Sequence, residues 1–185
     1  MSTTGSERAD VRRNRQLILD AAAEAVLNNP QASISDVAER AGLTRATVYR
    51  HYEDRDALLR ALVAETASHV VPLLLAELRP LAWGDALDLL AQRAITMGVA
   101  YRDAILTIAP RLEEAVRTAV EGEPIQAEIA ERRAAGEIVT ALPDDWLALC
   151  IRTLCLAAIG RLADPDVDRA DLVQHLSTAL RGLTA

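Results

Sequence analysis

The stretch Ser33–Tyr52, which reads SISDVAERAGLTRATVYRHY, decides the fold of this 185-residue chain. Ser33 is a good N-cap residue, and Asp36 three positions later completes a capping-box-like pair, so a helix is predicted to begin just after Ser33. Gly42 stands where the chain must turn sharply, because glycine enters the left-handed conformation without steric cost. Thr44 is a second N-cap that opens a second helix. The stretch therefore predicts two short helices joined by a tight turn.

The second helix is predicted to expose a polar face. Leu43 and Val48 would fill the wedge between the two helices, and Ala38 is small enough for their backbones to approach. The outward side chains are all able to bond phosphates or base edges, and they are Arg45, Thr47, Tyr49 and Arg50. A helix–turn–helix that reads DNA is one interpretation. An ordinary corner between two helices, with a solvated polar face, is the other.

The residues that follow carry a family resemblance. The segment continues from Thr47 as TVYRHYEDRDALLRAL, and it resembles the signature of the TetR/AcrR-type transcriptional repressors. The match covers residues 16–62, with Tyr52 where phenylalanine is usual and Arg55 where lysine is usual. Both substitutions keep the chemistry of the position. Beyond residue 62 only the length and the helical character fit.

The resemblance implies an all-α fold in two parts. Residues 1–53 would form a small three-helix domain with the helix–turn–helix, and residues 54–185 would form a helical ligand-binding and dimerisation domain. A long helix that begins after Asp54 would join them. The residues that the resemblance assigns to DNA contacts are Ser33, Ser35, Thr44, Arg45, Ala46, Thr47, Tyr49, Arg50, His51 and Arg55.

The charge distribution is compatible with this reading. The chain has 20 arginines, no lysine and a net charge of −7. Residues 1–60 hold nine arginines and nine acids, so the remaining 11 arginines and 18 acids account for the whole excess. Local charge rather than the total determines attraction to phosphates. Arg8, Arg12, Arg13 and Arg15 would form either an arm on neighbouring phosphates or a solvated helix start.

The pattern of apolar residues in the rest of the chain predicts helices. No extended alternation of apolar and polar residues, which is typical of strands, occurs. Residues 1–9 are polar and expected to be loose, and a first helix is predicted over residues 11–28. Pro72 should interrupt or kink the long helix, and Pro110 should open or break a later one. Residues 111–121 have an amphipathic pattern. The fold class is therefore predicted to be all-α.

The last third of the chain predicts a dimer. The helix over residues 146–164 is apolar on nearly every face, so it needs cover on all sides. The next helix, over residues 168–182, is amphipathic. One face would pack on the body and another against a second copy, although a purely intramolecular core is the alternative. The predicted interface residues are Leu154, Ala158, Ile159, Leu162, Leu172, Leu176, Ala179 and Leu180.

The effector site is the least determined part of the sequence. By family habit it would lie between the helices of the body, with an apolar lining and few polar contacts. This predicts a small, uncharged or lipophilic molecule. The candidate lining residues are His69, Trp83, Gln92, Met97, Tyr101 and Trp146.

Catalytic, metal and cofactor sites are not predicted. No HExxH, GxSxG, P-loop or GxGxxG motif occurs, and the three histidines are far apart. Cys150 and Cys155 fit neither a disulfide framework nor a CxxC site, so buried thiols are favoured over a redox sensor. No leader and no long uninterrupted apolar run is evident, which favours a cytoplasmic protein without membrane partners.

The resemblance implies a dimeric repressor that a small effector releases from a palindromic operator. A two-fold dimer would place its two reading helices in successive major grooves, about 34 Å apart. Two alternatives remain open at this point. One is a helical carrier that has lost DNA binding, and the other is a ligand-independent DNA-binding activator or architectural protein of the same fold.

Overall fold

The computed structural model describes residues 3–119 and 124–184. Within them the chain forms α1 (Thr3–Asn28), α2 (Ile34–Ala41), α3 (Arg45–His51), α4 (Arg55–Leu78), α5 (Trp83–Ala119), α6 (Pro124–Ala134), α7 (Asp144–Arg161) and α8 (Arg169–Gly182). These described residues contain no strand, so the all-α prediction is confirmed. The predictions for Arg8 and for the amphipathic pattern of residues 111–121 concern side chains that lie outside the described part of the chain.

The first apolar cluster holds α1, α2 and α3 on the start of α4. Ile18 and Ala22 of α1 are buried one helical turn apart, where the 3.6-residue period aligns them on one face. Leu58 and Leu59 supply the facing surface from α4 and are at most 2 % exposed. The first part of α4 therefore belongs to the same packed unit as the two short helices.

The second cluster forms the body. It joins α5, α6, α7 and α8, and its most buried large side chains are Leu87, Ile129, Leu147 and Leu180. The far end of α4 reaches this region through Leu75 and Leu78, which are also buried. A continuous helix thus connects the two clusters. The connection is stiff, since no Gly- or Ser-rich linker interrupts it.

Three helices differ from the sequence prediction. α1 begins at Thr3 rather than near residue 11, although its first residues are polar. Pro72 lies inside α4, which continues past it to Leu78, so the proline does not interrupt this helix. Pro110 lies inside α5 and neither opens nor breaks a helix. α5 bends instead at Tyr101, where φ is −137° and ψ is 22°.

A buried ion-pair network fastens α6 to the end of α4. Arg132 Nε donates to Glu128 Oε1 at 2.9 Å, and both side chains are almost fully buried. The same guanidinium donates to the carbonyls of Leu78 and Leu81, at 3.1 and 2.7 Å. These carbonyls lie where α4 has ended and lack a helical partner. Arg132 therefore anchors the α4–α5 turn on the body.

Asp88 ties α5 to α8. It accepts hydrogen bonds from Ser177 Oγ and, at 2.9 Å, from Arg181 Nε. Bonding to Arg181 lowers the pKa of Asp88 from 3.8 to about 2, because each bond favours the carboxylate. A group with a depressed pKa stabilises the fold above its unfolded pKa. That stabilisation is lost as the pH falls from about 4 towards 2.

We therefore expect Asp88→Asn to make the free energy of unfolding less dependent on pH. Because the Asp88 side chain is 39% exposed, solvent screening limits the effect to roughly 0.5–1 kcal/mol. Urea unfolding at about pH 5 and pH 3 measures it, and the wild type should lose more stability over this interval than the variant. Asp145→Asn, on the exposed first turn of α7, is the matched control. Equal losses in wild type and Asp88→Asn would contradict the assignment.

Among the described residues, α4 is the one helix whose length and apolar composition would allow it to cross a bilayer. Core helices of globular proteins often meet the same criteria. Here Leu58 and Leu62 of α4 are buried in the first cluster, and Leu75 is buried near its other end. Val70 and Leu73 between them are 47% and 69% exposed, so packing covers only part of the apolar surface of α4.

Candidate nucleic-acid interface

The turn between α2 and α3 is built from local hydrogen bonds. Ser33 N–H donates to Asp36 Oδ2 at 2.7 Å, and Asp36 N–H donates back to Ser33 Oγ at 3.3 Å, so the predicted capping box is present. The backbone bond from Ser33 also holds the pKa of Asp36 below its usual value. Gly42 adopts φ 66°, in the left-handed region, and its N–H donates to the carbonyls of Ala38 and Glu39. The prediction for Gly42 is confirmed.

α3 is attached to the first cluster by one fully buried residue, Val48. Thr44 Oγ1 accepts from Thr47 N–H at 3.1 Å and starts the helix. Val48 is fully buried, whereas Arg45 and Arg50 are exposed and Tyr49 is 47% exposed. The arrangement leaves Arg45, Tyr49 and Arg50 on the polar side of α3 facing solvent, with Thr47 half-buried between them. This side can enter a groove without unfolding any part of the cluster.

The polar side of α3 is pre-ordered by side-chain bonds. The hydroxyl oxygens of Thr44 and Thr47 lie 2.9 Å apart, and Arg50 Nη2 donates to Thr47 Oγ1 at 3.1 Å. Arg50 is therefore held along the helix rather than extended into solvent. A guanidinium has five donors, so the remaining N–H groups are available to an acceptor on a partner.

The structure places the ten predicted DNA-contact residues in two groups. The exposed ones are Ser33, Thr44, Arg45, Ala46, Tyr49 and Arg50. The half-buried ones are Ser35, Thr47, His51 and Arg55. Ser33 Oγ also donates to Asp36 Oδ2 at 2.9 Å, so its hydroxyl already serves the cap.

Arg55, which the resemblance assigns to a DNA contact, is held by carbonyls of its own chain. Its Nε donates to the carbonyl of Ala32 at 2.8 Å, and its Nη2 donates to the carbonyl of Pro30 at 2.6 Å. The guanidinium thus braces the α1–α2 connection against the start of α4. Planar, forked donors suit two carbonyls on one loop. We therefore treat Arg55 as a residue that positions the reading pair.

We expect Arg55→Ala to destabilise the fold by about 2 kcal/mol, because hydrogen bonds from a charged donor are each worth roughly 1.5–3 kcal/mol. Chemical denaturation measures the loss. Arg60→Ala is the control, since Arg60 pairs with Asp56 at the surface of the same helix and should cost less than about 1 kcal/mol. A role on a phosphate predicts the opposite pattern: stability unchanged, and a shallower dependence of DNA affinity on salt.

Arg15 is a second arginine whose contact no local pattern could have revealed. Arg12 and Arg13 are exposed on α1, which fits both alternatives, an arm on phosphates and a solvated helix start. Arg15 instead pairs with Glu65 of α4 at 3.3 Å. The two residues are 50 positions apart, so only the tertiary fold brings them together. The pair joins α1 to α4.

The predicted effector residues are scattered in the structure. Tyr101 lines a cleft of about 460 Å³, and none of the other five belongs to the described lining of that cleft. His69, Gln92, Met97 and Trp146 are exposed on the surface. The Trp83 ring lies under the guanidinium of Arg132, whose Cζ is 5.6 Å from the ring centroid. These five side chains therefore do not converge on one cavity with Tyr101.

The predicted dimer residues are largely buried within a single chain. Leu172, Leu176 and Leu180 pack inside the second cluster and are at most 8 % exposed, and Ala158 and Ile159 are buried too. Leu154 and Leu162 are half-buried, whereas Ala179 is exposed. The leucine stripe of α8 thus forms the body's own core. Their predicted contact with a second copy stays a prediction.

α7 nevertheless keeps an outward apolar stripe, which is defined by its exposed and half-buried residues at helical spacing. Its members are Trp146, Leu149, Cys150, Thr153, Leu156, Ala157 and Gly160. Trp146 is 53% exposed, and a Cβ added at Gly160 would meet nothing within 4 Å. The side chains of the stripe become small towards the C-terminal end of α7. A second helix could approach closely there.

The two cysteines are both half-buried and share no bond. Both are free, and burial raises the pKa of Cys155 to about 12. A thiol with that pKa is protonated at neutral pH and therefore unreactive. Among the residues that the structure describes, no group of three or more His, Cys, Asp or Glu side chains could hold a metal ion.

Comparison with known families places the similarity in the N-terminal part. Residues 18–62 match the model described as "Bacterial regulatory proteins, tetR family". The chain is also 42% identical over 62 residues to the HTH-type transcriptional repressor LfrR of Mycolicibacterium smegmatis. That alignment covers 34% of this chain and 33% of the repressor, so it spans about a third of the relative's length.

Comparison with solved structures extends the similarity to the whole fold. The transcriptional regulator FadR from Bacillus subtilis, solved with stearoyl-CoA, has a TM-score of 0.64 and 18% identity, covering 92% of this chain and 97% of its own. A tetR-family regulator from Rhodococcus sp. has a TM-score of 0.67 and 21% identity, covering 93% and 98%. At these identities the likeness concerns the fold.

Proposed function

We propose that this protein, which carries the N-terminal domain of the bacterial tetR family at residues 18–62, is a DNA-binding transcriptional repressor that a small effector releases. The observation that carries the proposal is the free polar side of α3. Arg45, Tyr49 and Arg50 are exposed there, while Val48 alone holds the helix on the core. A helix that presents its basic and hydroxyl side chains in this way fits a major groove.

The side chains on α3 divide into two roles in this proposal. Arg45 and Thr47 read base edges, since they project from the first turns of the helix. Tyr49 contacts phosphates, and Arg50, held by Thr47 Oγ1, supports the same surface. Phosphate contacts determine register and salt dependence, whereas base contacts determine sequence preference. We further propose residues 1–53 as the DNA-binding domain and residues 54–185 as the ligand-binding and dimerisation domain.

The active form in this proposal is a homodimer. The outward apolar stripe of α7 is the surface that would meet its copy, with Ala179 of α8 beside it. Two-fold symmetry then presents two α3 helices to one duplex, so the operator is a palindrome with half-sites one helical turn apart, about 34 Å. The protein binds its operator in the cytoplasm. An effector releases it by favouring a conformer with the wrong separation of the two helices.

Fluorescence anisotropy on the DNA that flanks the protein's own gene tests the proposal. We expect binding to one segment at least about 1,000-fold tighter than to random DNA at the same salt concentration. Equal affinity for both would contradict DNA reading and favour a helical carrier. Specific binding that no small molecule weakens would instead favour a ligand-independent activator of the same fold.

A further inference from the structure

Two hydroxyl groups lie side by side on the surface where α3 begins. Thr44 Oγ1 and Thr47 Oγ1 are 2.9 Å apart, and the bond between them is exposed to solvent. Thr44 Oγ1 also accepts from Thr47 N–H at 3.1 Å, and Thr47 Oγ1 accepts from Arg50 Nη2 at 3.1 Å. In the part of the chain that the structure describes, these are the hydrogen bonds of the two oxygens.

One donor and one acceptor remain free in this hydroxyl pair. Each threonine hydroxyl has one O–H and two lone pairs, so the pair starts with two donors and four acceptor positions. The bond between the two oxygens uses one donor and one lone pair. The backbone N–H of Thr47 and the guanidinium of Arg50 only donate, so they occupy two further lone pairs. One O–H and one lone pair are therefore left for a partner.

The free donor and the free acceptor always lie on different oxygens. If Thr47 donates to Thr44, then Thr44 keeps its own O–H and Thr47 keeps one lone pair. If Thr44 donates to Thr47, the free O–H is on Thr47 and the free lone pair is on Thr44. Rotation of the two hydroxyls exchanges these arrangements, and in neither does the pair offer two donors or two acceptors. The pair thus resembles the amide of Asn or Gln in what it presents.

This combination matches one base edge in the major groove. Adenine presents an acceptor at N7 beside a donor at its N6 amino group, whereas guanine presents two acceptors, at N7 and O6. Cytosine presents one donor and thymine presents one acceptor. Asn and Gln bind adenine through one donor and one acceptor in the same way. A guanine in that place would set a lone pair of its own edge against the free lone pair of the hydroxyl pair.

We propose that the hydroxyl pair of Thr44 and Thr47 reads an adenine in each half-site of the operator. This assignment rests on the proposed function and specifies a base that α3 recognises. In helix–turn–helix proteins the first residues of the reading helix contact base edges. Arg45, which follows Thr44, contacts a different base. Arg50 has a positioning role, because its bond to Thr47 Oγ1 occupies one lone pair and leaves a single acceptor free.

Thr47→Val tests the assignment, because it removes one hydroxyl and keeps the branched shape of the side chain. The cap bond persists, since it comes from the backbone N–H of residue 47. Binding selection on operators randomised across each half-site should enrich adenine at one position for the wild type. Thr47→Val should lower the preference for adenine over guanine there by at least about fivefold. Thr47→Ser keeps the hydroxyl and should keep the preference.

Base analogues identify the atoms that are read. Replacing that adenine by 7-deazaadenine removes the N7 acceptor, and replacing it by purine removes the N6 amino group. Each analogue should weaken binding of the wild type by at least about fivefold per half-site. The same analogues should change the affinity of Thr47→Val little, because this variant no longer presents the complementary pair.

An adenine preference that survives in Thr47→Val would overturn the assignment, as would wild-type affinity that neither analogue lowers or selection of guanine at every position of the half-site. Each of these results leaves the proposed function intact, because one DNA segment is still bound specifically. Absence of specific binding by the wild type would reject the proposed function and this assignment with it. If Thr47→Val melts at a lower temperature than the wild type, the two analogues on the wild-type protein decide.

Discussion

Replacing Arg45 by alanine should lower affinity for the operator by roughly 30-fold or more and broaden the base preference at one position in each half-site. Arg45 is the first residue of α3 and is exposed. A bidentate contact from an arginine to a guanine is worth about 1–3 kcal/mol. A dimer makes that contact twice, so the expected loss is about 2–6 kcal/mol. Binding selection on randomised operators would reveal the altered preference.

Tyr49→Ala is the matched comparison for Arg45→Ala, since both residues are exposed on the same helix. We assign Tyr49 to a phosphate, so its removal should weaken binding to operator and random DNA alike. Neither change touches Val48, and both variants should melt like the wild type. An Arg45→Ala variant that keeps the wild-type base preference would refute the reading role of α3.

The features that the sequence predicted well depend on neighbouring residues. Ser33 and Asp36 are three positions apart, and the capping box between them needs no tertiary partner. Gly42 is equally local, because its φ of 66° is a property of one residue in one turn. Helix periodicity then indicates which side chains are buried. These signals were sufficient for the helix–turn–helix and for the all-α class.

The features that the sequence predicted poorly depend on distant partners. The donors of Arg55 are directed at carbonyls 23 and 25 positions earlier, and no pattern near residue 55 indicates this. The bend of α5 falls at Tyr101 rather than at Pro110, and the neighbouring Arg102 Nη1 donates to the carbonyl of Leu162, 60 positions later. The effector-binding residues were the hardest to predict, because an aliphatic pocket lining contains no sequence motif.

The apolar helices at the end of the chain illustrate a further limit. A stripe of leucines indicates that this face of the helix is buried. It does not indicate whether the same chain or a second copy buries it. Leu176 and Leu180 are covered by α5 and α7 of their own chain. The residues that remain outside on α7 run from the large Trp146 to the small Thr153, Ala157 and Gly160. Exposure, rather than hydrophobicity, selects the surface of the proposed dimer.

Ala157→Arg should therefore convert the protein into monomers and reduce operator affinity by about 100- to 10,000-fold, since a single reading helix loses the gain from simultaneous binding of two half-sites. Ala157 is exposed on the α7 stripe. On a two-fold interface the new arginine also faces its own copy. Light scattering would measure the mass, and anisotropy would measure the affinity. The fold should persist, because the side chain points away from the core.

Two further variants make that result decisive. Ala130→Arg, on the exposed side of α6, adds the same charge away from the proposed interface and should leave both mass and affinity unchanged. Leu176→Arg should unfold the body, since Leu176 is 4 % exposed and burying an unpaired charge there costs at least about 4 kcal/mol. A folded Leu176→Arg monomer beside a dimeric Ala157→Arg would reverse the assignment and place the interface on α8 instead of α7.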